Sequence, residues 1–298
     1  MAPLILVLQM AKVASMSWYE AVCRACPGAQ VYHLNLINPR LVSEIRALWA
    51  QTGPSQTVRN LALVRRGDGL PDPEFEGALH RARAGNQPIK IVSAIRDPID
   101  RSISALFFWA DFFGHRRLRL SHRDDPTVDS LLAYFVDSWR SALDGLTVAD
   151  TFDQCLQWEF VRYRDWFERE ITEVFSIGLE GIEFDFGECC LRARSGATEL
   201  VCTRFEDLGG GLATRAVLNS VAATIGAPIE ELPRVNATDN RRARDLYRAF
   251  RQQVKLPQDV IEAVYSPPIL AKFYRSDEIQ RMRRRWSAPR RTPAQAVA

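Results

Sequence analysis

The segment Leu4–Leu8 is a short, wholly apolar run, Leu-Ile-Leu-Val-Leu. Successive side chains on a strand point to opposite faces, so an unbroken apolar run needs cover on both sides. That is the position of a central strand in a parallel sheet with helices above and below it. A polar loop of small residues, Gln9 to Ser15, follows the run, and helical spacing then extends over Met16–Cys26 and stops before Pro27 and Gly28. Ile89–Ile95 repeats the arrangement: an apolar run leads into Asp97-Pro98, with Pro98 at a first helical position. Gln30–Leu34 reads as a strand between the two units. Strands alternating with helices predict an α/β three-layer sandwich with a central parallel sheet.

The second half is richer in helices. Pro39–Gln51, Val128–Leu143, Thr151–Glu170, Thr214–Ile225, Asn240–Val254, Pro257–Tyr265 and Ser276–Trp286 carry helical spacing, whereas Leu191–Arg194 and Glu199–Arg204 flank Ser195-Gly196 as a hairpin. No repeat interrupts this order, so one domain is expected over 1–286, with a basic, disordered tail over 287–298. Hydrophobic residues make up 47% and charged residues 25%, a globular composition that excludes a fibre or a disordered chain. The chain has 39 basic and 36 acidic residues, but the last 18 residues hold six arginines and no acid. The remainder is therefore slightly acidic, which argues against a nucleic-acid partner. No apolar run approaches membrane-spanning length, and the N-terminus has neither the basic start nor the long apolar stretch of a secretion signal, so a cytoplasmic location is expected. Cys23 and Cys26 form a C-x-x-C with no second pair at zinc spacing; reduced thiols and no metal are expected.

In parallel sheets ligands bind beyond the carboxyl ends of the strands. The first loop there reads Lys12-Val13-Ala14-Ser15-Met16-Ser17-Trp18. Small residues let the backbone approach a ligand, Ser15 and Ser17 supply hydroxyls, Lys12 a mobile charge, and the helix start supplies amides: the makings of an anion cradle. The second reads Arg96-Asp97-Pro98-Ile99-Asp100-Arg101-Ser102-Ile103-Ser104. Asp97 fits a helix cap, Arg96 can fork onto a phosphate, and Ser104 lies two turns along with Arg101 one turn before it.

Together the two loops resemble those of the sulfotransferase superfamily. Lys12–Ser17 is similar to its 5′-phosphosulfate loop in carbohydrate-directed members, with Ala14 where many members have glycine and Met16 where a small hydroxyl residue is usual. Arg96-Asp97-Pro98 through Ser104 is similar to its 3′-phosphate loop, and Arg204-Phe205-Glu206-Asp207-Leu208 resembles a later strand-end segment. Trp166–Ile171 and Lys272–Ile279 resemble bacterial proteins of capsular polysaccharide synthesis. The resemblance implies a P-loop-NTPase-like sulfotransferase fold and 3′-phosphoadenosine 5′-phosphosulfate as donor, with no metal. It implies transfer of a sulfuryl group to a hydroxyl of a carbohydrate or glycoconjugate. Lys12 would stabilise the leaving group, Val13–Ser17 would hold the 5′-phosphate, Arg96 and Ser104 the 3′-phosphate, and Trp18 would stack on adenine. His33, at the end of the second strand, is the expected base, with Glu20 in reserve. The charged stretch His115–Arg123 could grip an anionic acceptor, and self-association is left open. Two other readings remain: a nucleotide or sugar kinase, which lacks its G-x-x-x-x-G-K-[ST] loop here, and a non-catalytic nucleotide- or polysaccharide-binding assembly protein.

Overall fold

A computed structural model of the chain describes residues 2–10, 12–52, 73–113, 127–145, 152–233 and 244–288. The expected stretch His115–Arg123, and the tail beyond Ala288, lie outside them. Five strands form one sheet among the described residues: β1 (Leu4–Leu8), β2 (Gln30–Leu34), β3 (Ile89–Ile95), β4 (Cys190–Ser195) and β5 (Thr198–Arg204). Their order is β2-β1-β3-β5-β4. The first three and β5 run parallel, while β4 pairs antiparallel with β5 at one edge. The tight turn between β4 and β5 puts Gly196 at φ 57, a conformation that costs glycine little.

The helices longer than one turn are, among the described residues, α1 (Ser15–Ala25), α2 (Pro39–Thr52), α3 (Pro73–Ala84), α4 (Pro98–Phe113), α5 (Val128–Leu143), α6 (Phe152–Val161) and α7 (Gly211–Ile225). After residue 243 come α8 (Arg244–Gln253), α9 (Gln258–Val264), α10 (Pro268–Phe273) and α11 (Ser276–Trp286). No helix among the described residues is long and apolar enough to cross a membrane.

The apolar run of β1 is buried throughout, and its alternation builds two cores. Ile5 and Val7, with Val92 and Val201, meet α1 and α7 through Trp18, Val22, Val217 and Val221. Leu4, Leu6 and Leu8 face the other way, into a larger core that takes in α3 to α6 and the C-terminal helices α8 to α11. Burying one such large apolar side chain stabilises the fold by roughly 1.5–3 kcal/mol, so helices on both faces are what allow β1 to be apolar on both faces. The chain is thus α/β with a five-stranded, mostly parallel sheet.

Three segments differ from the sequence expectation. The sequence pattern did not distinguish α3, which follows a Gly/Pro-rich stretch, or α10, which has six residues and opens on Pro267-Pro268. The helix expected over Thr151–Glu170 ends at Val161 and continues as a 3₁₀ turn, Arg162–Arg164, and a π turn, Glu168–Thr172. The break accompanies a long-range contact: the Glu170 carboxylate accepts the amides of Ile37 and Asn38 at 2.5 and 2.8 Å, which fixes how the chain leaves β2. At the other end the chain stays hydrogen-bonded past Trp286, since the Ala288 amide donates to the Leu256 carbonyl at 3.1 Å.

Arg101, one turn before Ser104 in the loop that offers phosphate contacts, is turned to another use. It is fully buried, with Nη1 on Glu159 Oε2 at 3.1 Å, while Arg162 Nη1 reaches Glu159 Oε1 at 3.0 Å. Both guanidiniums hold the Glu159 carboxyl below its usual pKa even though burial opposes its charge. Removing one partner of such a cluster leaves a buried charge poorly compensated. Arg101→Met should therefore destabilise the protein by about 3 kcal/mol, read by urea unfolding, and a change under 1 kcal/mol would mean that the ion cluster is not built as described.

Candidate functional site

Strand order reverses between β1 and β3: the chain steps from β1 to β2 on one side, and β3 returns on the other. Such a reversal opens a crevice at the carboxyl ends of the two strands, because their following loops diverge to opposite faces. The two loops singled out in the sequence leave the sheet there. Lys12 and Ala14 both adopt left-handed backbone, at φ 70 and φ 66. Each costs a non-glycine residue about 1–2 kcal/mol. Ala14 is the N-cap of α1 and offers no side-chain hydrogen bond to the helix start. The loops touch directly: Arg96 Nη1 donates to the Lys12 carbonyl at 3.0 Å, across 84 residues of sequence.

The crevice is a cavity of about 1250 Å³ whose lining includes Lys12, Ser15, Ser17, Arg96, Ser104 and Glu206. Ala14 and Met16 border it as well, and the far wall comes from α8 and α11, with Arg251 and Trp286. So the structure gathers seven of the expected site residues in one place. Val13 is turned inward and fully buried. Trp18 is not available to stack on a base: it is fully buried among Ile5, Val7 and α7, because the start of α1 must cover the sheet. His33 is likewise outside the cavity lining. Its register partner is Val7, whose side chain faces α1, and its ring lies 5.8 Å from that of Tyr19 beneath that helix. Glu20 sits on α1 in a surface pair with Arg24 at 3.3 Å.

Charges in the cavity are held in set positions. The Lys12 ammonium lies 2.8 Å from the centre of the Phe108 ring, on α4. Arg96 is only 6% exposed and lies 4.1 Å from the centre of the Phe205 ring. Its Nε and Nη2 donate to Asp100 Oδ2 at 3.1 and 2.5 Å, and Arg251 Nε donates to Asp100 Oδ1 at 2.7 Å. Asp97 does cap α4: its Oδ1 accepts the amides of Ile99 and Asp100 at 2.9 and 3.3 Å. It also accepts Tyr265 and Trp286 at 2.8 Å each, and burial pushes its pKa up.

Glu206, just past the end of β5, was noted in the sequence only as part of a strand-end segment. It borders the cavity, yet its carboxyl is drawn under the Asp97 amide at 2.7 Å and the Tyr274 hydroxyl at 2.9 Å. The protein packed around it, with the Asp97 carboxylate near, raises its pKa to about 7. The position of Glu206 at a strand end beside β3 was the available signal. Arg251 had none, since neither spacing nor composition shows which face of α8 meets the cavity, and Asp100, though part of the second loop, gave no sign that it would bridge two arginines.

Chemically, the cavity lining offers Lys12 and Lys255, the guanidiniums of Arg96, Arg248, Arg251 and Arg285, three serine hydroxyls and an uncapped helix start, a donor set suited to phosphate or sulfate. Compared with family models, curated proteins and solved structures, the chain matches none.

Two outcomes follow from this geometry. Ala14→Gly should raise stability by about 0.5–1 kcal/mol by relieving the left-handed strain, measured by urea unfolding, and a loss would mean that the residue is not left-handed. Glu206 has a raised pKa in the folded state, so its contribution is intact below about pH 4.5 and stability is lost as pH rises through about 7. Glu206→Gln should accordingly melt above the parent at pH 8 and close to it at pH 4, and equal melting at pH 8 would show that the carboxyl ionises normally.

Proposed function

We propose that this chain is a sulfotransferase on a P-loop-NTPase-like fold, moving a sulfuryl group from 3′-phosphoadenosine 5′-phosphosulfate to a hydroxyl of a carbohydrate or glycoconjugate. The observation that carries the reading is the bond from Arg96 to the Lys12 carbonyl, which joins the two anion loops on one cavity at the strand-order reversal. A donor with phosphates at both ends of a ribose needs two anion cradles at a fixed separation. Two loops meeting at one crevice supply them.

In this reading the helix start of α1, with Ser15 and Ser17, holds the 5′-phosphate, and Arg96 with Ser104 holds the 3′-phosphate. The acceptor oxygen bonds to sulfur as the bond from sulfur to the 5′-phosphate oxygen breaks, and the acceptor proton is released. Negative charge grows on that phosphate oxygen, and an ammonium placed there lowers the barrier. Lys12 has the flexible stem to swing from the Phe108 ring onto it. His33, buried beneath α1, is not given the role of base.

The test is calorimetric titration with adenosine 3′,5′-bisphosphate, with AMP and magnesium-ATP as controls. The bisphosphate should bind at least about 10-fold tighter than AMP, the worth of one charge-assisted contact. Arg96→Ala should erase that preference. Lys12→Ala should keep the bisphosphate within about 3-fold, roughly 0.6 kcal/mol, and lose sulfuryl transfer. Equal binding of AMP and bisphosphate, or preference for magnesium-ATP, would overturn the assignment.

A further inference from the structure

We propose that Asp100 is a positioning residue of the anion cavity, coupling the guanidiniums of Arg96 and Arg251 so that both present to one ligand group. The inference rests on the reading of this cavity as an anion site. A carboxylate on the wall of such a cavity repels the ligand, so its presence calls for a compensating task. Asp100 lies in the first turn of α4, with its side chain 9% exposed, and divides its two oxygens between two arginines. Oδ2 takes Nε and Nη2 of Arg96, and Oδ1 takes Nε of Arg251, which α8 brings from 151 residues further along the chain.

Each guanidinium is then fixed in a different way. Arg96 is held by Asp100 on one edge, by the Lys12 carbonyl through Nη1, and by the Phe205 ring across its plane. Arg251 is held by Nε alone, and its Nη groups carry no hydrogen bond to the described residues while the side chain lines the cavity. With its side chain 37% exposed, it would otherwise sample many rotamers, and the carboxylate removes that freedom in advance of binding. Although burial opposes its charge, Arg96 and Arg251 hold the Asp100 carboxyl below its usual pKa, so the bridge persists at neutral pH.

Positioning and simple charge make opposite predictions. Asp100→Asn removes a negative charge from the cavity, which by field alone tightens anion binding. Loss of positioning weakens it. The experiment titrates adenosine 3′,5′-bisphosphate, and separately sodium sulfate, into the parent, Asp100→Asn, Arg251→Gln and the double variant, with melting temperatures recorded alongside. Each single variant should bind both anions about 10-fold more weakly, the worth of one charged hydrogen bond. The double variant should be no weaker than the weaker single, because both changes break one unit. Should Asp100→Asn not fold, Arg251→Gln and Arg251→Lys decide. Loss of sulfate affinity in the first and partial recovery in the second are expected, and unchanged affinity in both overturns the proposal.

Equal or tighter binding by Asp100→Asn, or losses that multiply in the double variant, would also overturn it. If the parent binds sulfate with this dependence but shows no preference for the bisphosphate, the sulfotransferase reading falls and the positioning role stands. Failure of the parent to bind either anion overturns both.

Discussion

One buried carboxylate sets the geometry of the ligand side. Asp97 is 4% exposed, and leaving a charge or a carboxyl there without partners would be costly. It has partners from four directions: the first turn of α4, Tyr265 at the end of α9, Trp286 at the end of α11, and Glu206, to which its own amide donates. Arg96 precedes it in the chain, so the same contacts that satisfy Asp97 determine where that guanidinium stands. The cavity floor and the C-terminal helices are therefore one mechanical unit, joined by hydrogen bonds rather than only by apolar packing.

Three arginines near the strand ends illustrate how surroundings divide the work of one residue type. Arg101 is spent inside the core on Glu159. Arg204, at the end of β5, is a clamp: it grips Asp207 with Nε and Nη2 at 2.7 Å each and reaches Glu278 at the start of α11. Arg96 faces the cavity, backed by an aromatic ring and a carboxylate. The acids in this region act largely as holders of cations and amides, which is why the cavity mixes both signs of charge. Its lining holds Lys12, Arg96, Arg248, Arg251, Lys255 and Arg285 against Asp97, Asp100, Glu206, Glu230 and Glu231, so the two signs nearly balance.

Much of the frame was legible in the sequence, because the features that specify it are local. The uninterrupted apolar runs at Leu4–Leu8 and Ile89–Ile95 announce central strands, Pro98 marks a helix start, and Ser195-Gly196 marks a turn. Both loops after those strands could be located for the same reason, and Lys12, Ser15, Ser17, Arg96 and Ser104 do meet. Orientation was not legible. Trp18 and His33 turn under α1, which depends on how that helix lies on the sheet and on the register of Val7 with His33. The left-handed backbone at Lys12 and Ala14 carries no glycine to announce it. Asp100, Arg251, Tyr265 and Trp286 come together only through tertiary contacts, for which no spacing rule exists.

The bond from Trp286 to Asp97 joins residues 189 positions apart. Strands β1 and β3 are synthesised early, but the wall that completes the crevice arrives near the end of the chain. A ribosome adding roughly 5–20 residues per second needs on the order of ten seconds to cover that interval. Until Tyr265 and then Trp286 arrive, the Asp97 carboxylate has only its own helix start to satisfy it, and the apolar residues that α8 to α11 will cover face water. The nascent chain thus has a period in which its sheet exists and its cavity does not.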